Sequence, residues 1–169
     1  MPMKFIAVLA FAVSISGGCL AQSRVAQNER RSVSSKADVL RVDLEAASKG
    51  LVEDDVSLNA MVKSLEGDAL YNAQNLLDEI QFAQIETDAA ASFVLLYADV
   101  GCDQDRKLVR VVLQDRLKTY SKLLDSSISS VSRNLASTKV LAVSQVGLRA
   151  QDKMRSARSD MQSMLDLIQ

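Results

Sequence analysis

Between Ser35 and Ile168, apolar residues recur at alternating steps of three and four, the spacing that gathers side chains onto one face of an α-helix. Turn signals divide this pattern into four stretches of similar length. The first predicts a helix from about Ser35, as N-cap, to Glu66, with Gly67 as its stop. Its seam is Ala37, Leu40, Leu44, Ala47, Leu51, Asp54, Leu58, Met61 and Leu65, and Asp54 is its single polar member. A heptad kept so strictly supercoils left-handedly against a neighbour. Gly50 is the weak point, costing about 1 kcal/mol against Ala inside a helix. With Glu53-Asp54-Asp55 following, it marks an alternative break.

The second stretch runs from about Asp68 to Asp99 and ends at Gly101. Its first half places Leu70, Ala73, Leu77 and Ile80 on one face, and its second half shifts to Phe82, Ile85, Ala89, Phe93 and Leu96. Val94, Leu95 and Tyr97 make this end apolar nearly all round, which predicts the most buried helix, kinked near Glu86-Thr87-Asp88. The sharper reading reserves Phe82, Ile85, Phe93, Leu96 and Tyr97 for a partner or an apolar ligand. The third helix starts near Cys102-Asp103 and continues through Leu113, Leu117, Tyr120, Leu124, Ile128, Val131 and Leu135. The fourth carries Val143, Gly147, Ala150, Met154, Ala157, Met161, Met164 and Ile168 without a miss, and its small residues invite close helix approach. Met154, Met161 and Met164 fall on this seam, where methionine is core filler; on a surface they would grip varied partners.

One junction decides the architecture. Residues 126–137 contain several serines but no Gly or Pro, and serine weakens a helix without breaking it. A turn around Arg133–Thr138 gives an antiparallel four-helix bundle with helices about 45 Å long. Without a turn, the last two segments form one very long helix in an elongated hairpin or coiled coil. Short connections at Gly67 and Gly101 already fold the chain back on itself, so the all-α bundle is the expected fold, with residues 35–169 as one domain.

The N-terminus carries a different pattern. Residues 1–21 read MPMKFIAVLAFAVSISGGCLA: a basic start at Lys4, an apolar run from Phe5 to Ile15, then small residues. This has the three-part form of a secretory signal peptide, and the run is too short for a permanent membrane anchor. Cys19 and Ala21 at −3 and −1 predict cleavage before Gln22, which discards Cys19. Ser16-Gly17-Gly18-Cys19 also resembles a bacterial lipobox with Ser16 in place of the usual leucine. That resemblance implies lipidation of Cys19 and an outer-membrane lipoprotein, in contrast to a soluble periplasmic or secreted chain. Residues 22–34 carry Arg24, Arg30 and Arg31 without apolar periodicity, and read as a flexible polar tether or as a basic segment drawn to anionic lipid.

Composition then narrows the function. The 169 residues are 48% hydrophobic and 24% charged, which is globular composition. A formal net charge of −1 and the lack of a Lys/Arg-dense stripe argue against nucleic acid as a partner. The chain has no His, which removes the commonest general base and transition-metal ligand. With Cys19 in the leader, Cys102 stands alone, so the reading is an inert thiol or the donor of an intermolecular disulfide. Flanking Asp99, Asp103 and Asp105 are hard oxygen ligands, but without the Gly and distal Glu of an EF-hand loop they read as helix caps. No metal, cofactor or catalytic constellation is expected.

The expectation is therefore a non-catalytic, exported helical bundle of the bacterial cell envelope, a structural or interaction module that binds a protein partner or itself. It meets a membrane only through a lipid on Cys19. The alternative is a bundle that holds an apolar or amphipathic small ligand near Phe82, Phe93 and Tyr97.

Overall fold

The structure, a computed structural model, describes residues 24–169 apart from Cys102, and side chains from Arg31 onward apart from that of Asp103. Four helices follow one another: α1 (Arg24–Val62), α2 (Gly67–Asp99), α3 (Asp103–Ser137) and α4 (Leu141–Leu167). No strand occurs among the described residues. The cross-helix bonds show that neighbours are antiparallel. Along α1 and α2, Ser34 Oγ donates to Ala98 O, Ser48 Oγ to Asp88 Oδ1, and Gln81 Nε2 to Asp55 Oδ1, so one numbering rises as the other falls. The same holds for α3 and α4, where Gln114 bonds Ile168 O, Asp125 pairs with Arg158 and Ser132 with Gln151. Packing of α1 on α4 closes the ring. Across it α2 touches α4, whereas α1 and α3 do not meet. This is an antiparallel four-helix bundle.

The junction after α3 is a turn. Thr138 Oγ1 closes the end of the helix by donating to Asn134 O at 2.7 Å, and Val140 is extended before α4 begins. The turn before α2 needs glycine: Gly67 has φ +55°, where a side chain is strained.

Three of the four seams lie where the spacing places them. Ala37, Leu44, Leu51 and Leu58 of α1, Leu113, Leu117, Leu124 and Val131 of α3, and the whole α4 seam from Val143 to Ile168 are buried in one core. Met154, Met161 and Met164 are core residues. Gly147 is where the diagonal closes: a Cβ there would lie 2.8 Å from Leu135 Cδ2 and 2.9 Å from Leu76 Cδ2. Its missing side chain lets α2 and α3 leucines reach α4.

The first helix differs at its ends and does not break. It begins at Arg24 rather than Ser35, so the stretch read as a tether is helical from Arg24 onward, and it stops at Val62 rather than Glu66. It also continues straight through Gly50. Here the glycine makes room for α4: a Cβ would lie 2.8 Å from Lys153 Cε, and Lys153 Nζ donates to Gly50 O at 2.7 Å. One turn on, Asp54 is 2% exposed and takes Lys153 Nζ at 2.6 Å and Arg149 Nε at 3.2 Å. The one polar residue in the α1 seam is thus a buried carboxylate held by two partly exposed cations of α4.

The register of α2 is the main correction. Its seam does not shift faces: Ala73, Leu76, Ile80, Ala83, Thr87, Ala90, Val94 and Tyr97 run as one buried stripe. Phe82, Ile85 and Leu96, expected on the inward face, are 61%, 62% and 50% exposed. Size misled the pattern. Ala83, Thr87 and Ala90 read as neutral beside bulky neighbours, yet small residues suit the close approach of α2 to α1. Thr87 is satisfied within its own helix, donating to Ala83 O at 2.7 Å. Nor is α2 the most buried helix, since α4, though shorter, has ten buried residues against nine.

Candidate interaction face

The displaced apolar residues of α2 gather on one side of the molecule. Phe93 is half-buried and packs toward α3, its ring 6.4 Å from that of Tyr120. Phe82 lies eleven residues earlier, about 20° away around a helix of 3.6 residues per turn, and so shares that flank but stands in solvent. Ile85, Ala89 and Leu96 continue at steps of three, four and seven, a heptad spacing on which Phe93 is packed and Phe82, Ile85 and Leu96 are exposed. On α3 the exposed Val112 and Leu123 fall about 80° and 60° outward from Tyr120, beside the same groove, and Leu108 extends the row. Together these residues give the two-helix layer exposed apolar rows over residues 82–96 of α2 and 108–123 of α3.

Of the five residues singled out in the sequence, the structure therefore brings Phe82, Ile85 and Leu96 to the surface and holds Phe93 at the α2/α3 seam. Tyr97 is different: it is 5% exposed, with the Arg106 guanidinium 5.6 Å from its ring centre. Arg106 also donates to Val100 O at 2.8 Å, so Tyr97 and Arg106 lock the α2–α3 connection. Two surface hollows, one of about 360 Å³ bordered by Val39, Leu40 and Leu167 and one of about 300 Å³ bordered by Asp43, Lys153 and Asp160, lie between α1 and α4, on another side from Phe93. In the second, burial and the nearby Asp43 carboxylate push the Asp160 carboxyl above its ordinary pKa.

Charge divides the layer in two. Helix α2 carries Asp68, Asp78, Glu79, Glu86, Asp88 and Asp99 and no Lys or Arg. None of these joins an ion pair among the described residues. Around the apolar row of α3 stand Arg116, Lys118 and Lys122 together with Asp105 and Asp115, likewise without an ion pair among the described residues. Glu86 lies where the halves meet: its Oε2 is buried without a hydrogen-bond partner. Burial, reinforced by the Glu79 carboxylate, pushes its pKa up to about 7.

The sequence offered the bulky residues of α2 but missed the α3 half of the face, because Leu108, Val111 and Val112 sit within a run that looks like core. The clue was the spacing: these side chains fall off the Leu113–Leu117–Leu124 seam. Cys19, Cys102 and the whole leader lie outside the described residues. No group of three or more His, Cys, Asp or Glu able to hold a metal occurs among the described residues, and no described helix is long and apolar enough to cross a membrane. Comparison with family models, with curated proteins and with solved structures returns no match.

Proposed function

We propose that this chain is a non-catalytic interaction module of the bacterial cell envelope, exported by its N-terminal segment, and that the α2/α3 layer is its working surface. One observation carries the reading. A bundle whose seams are otherwise so regular leaves Phe82, Ile85 and Leu96 in water on a single helix, at heptad spacing. Scattered exposed apolar residues are ordinary; a periodic row flanked by a second row on the adjacent helix is how a helix-binding surface is built. Export rests on the leader, with Lys4, the apolar run and the small residues before Gln22, and Cys19 retains the lipoprotein alternative. The lack of His, the commonest general base, supports a role through contact rather than turnover.

The test is site-specific photocrosslinking in cells. With benzoylphenylalanine in place of Phe82 or Leu123, crosslinked adducts are expected well above those from Leu148, an exposed apolar position on α4. Equal yields from the three positions would remove the assignment of the working surface. Intact mass of the processed chain checks export separately: a start at Gln22, or an acylated start at Cys19, is expected, and an uncut leader would contradict it.

A further inference from the structure

We infer that the partner on the α2/α3 face is a second copy of this chain, with α2 of each copy lying against α3 of the other about a twofold axis parallel to the helices. The inference rests on the reading of that face as the working surface and names its occupant. Charge is the first argument. An acidic helix beside a net basic one forms a self-complementary layer, because half a turn about such an axis sets α2, with six carboxylates and no Lys or Arg, over α3 of the other copy, with seven Lys and Arg against four Asp. The same operation sets the second copy's carboxylates over the first copy's cations. The contact is made twice and the assembly closes, whereas α2 against α2 would bring two wholly acidic helices together.

Shape and size agree. Each half of the layer has its own exposed apolar row, Phe82, Ile85 and Leu96 on α2 and Leu108, Val112 and Leu123 on α3, so both contacts bury apolar side chains. Two helices about 50 Å long and about 20 Å wide together give a footprint of about 1,000 Å² per copy, above the ~800 Å² per partner of a standard stable interface.

The test is charge exchange, read by sedimentation equilibrium of the full processed chain. The parent is expected to be dimeric. Asp78→Lys with Glu79→Lys on α2, or Arg116→Glu with Lys122→Glu on α3, should each weaken pairing at least about tenfold, with helicity unchanged by circular dichroism. An equimolar mixture of the two reversed chains should pair again, since each then offers what the other lacks. A parent that stays monomeric, reversed chains that pair as the parent does, or a mixture that fails to pair overturns the inference. Crosslinking in cells separates this from the broader reading. Adducts from position 82 at twice the chain's mass support pairing, adducts only with other proteins overturn it while leaving an interaction surface, and none above the Leu148 control overturns both.

Discussion

At the scale of single residues, the bundle is specified by a few polar and small positions set among interchangeable leucines. Asp54 is the clearest. It is buried at the α1–α4 contact and holds two cations, so removing one leaves a carboxylate short of compensation, while removing the whole arrangement does not. Lys153→Met is expected to cost about 2 kcal/mol, less than a fully buried pair because both cations are partly exposed. Asp54→Leu combined with Lys153→Met should recover most of that loss, with urea denaturation as the measure. Gly147 works by what it lacks. Its alanine variant gains about 1 kcal/mol of helix propensity but drives a methyl into Leu76 and Leu135 within the core. The expected net result is a loss of about 1 kcal/mol, visible as a lower urea midpoint; a gain would mean that the diagonal contact is looser than described. Glu86 gives a pH signature. Its pKa is raised from 4.5 to about 7, so between these values the native chain binds more protons than the unfolded one. Its contribution to stability therefore falls as pH rises through that window and stays low above it. Glu86→Gln should flatten this slope and raise Tm at pH 8 by about 2 °C in dilute solution, with little change at pH 5.

At the scale of elements, legibility in the sequence tracked how bulky each seam was. α1, α3 and α4 place Leu and Met on their inward faces, so the alternating three- and four-residue steps pointed to the core directly. The α3–α4 turn was expected within a few residues of where it falls, at Thr138–Val140, because serine-rich sequence marks a weak stretch without fixing its end. The start of α1 was missed since Arg24–Ser34 is polar and carries no apolar period, and helix can propagate from an adjacent packed segment without one. In α2 the inward stripe is built of alanine and threonine while phenylalanine, isoleucine and leucine face out, which inverts the usual signal. The partner of Asp54 was invisible for a different reason: Arg149 and Lys153 lie far along the chain, and only the antiparallel pairing of α1 with α4 brings them near. The α2 register has a direct consequence. In solution dilute enough to keep the chain monomeric, Phe82→Ser should change stability by no more than about 0.5 kcal/mol, as for an open surface site, whereas Ala83→Leu next to it should cost about 2 kcal/mol by overpacking. A large loss from Phe82→Ser would place that ring in the core after all.

At the scale of the whole molecule, exposed apolar residues occur on α1 at Val39, Val42, Val52 and Val56, and the α2/α3 side differs in carrying aromatic and leucine side chains on two adjacent helices. The α1–α4 side is fastened by Asp54, Lys153 and Arg149, and the α2–α3 connection by Tyr97 and Arg106, so the layer bearing Phe82 and Leu123 is held in place from both edges. A surface so supported meets a partner with little reordering, which lowers the entropy lost on binding. Both the core and the exposed face depend on α2 turning its small residues inward and its large ones outward. Single cysteines in a background with Cys19 and Cys102 replaced by serine test this most directly, by their rate of reaction with a polar thiol reagent in dilute native solution. Cysteines at 82 and 85 are expected to react nearly as fast as in the unfolded chain, and those at 83 and 90 at least about 100-fold more slowly. Protection at 82 and 85 with rapid reaction at 83 and 90 would contradict the account.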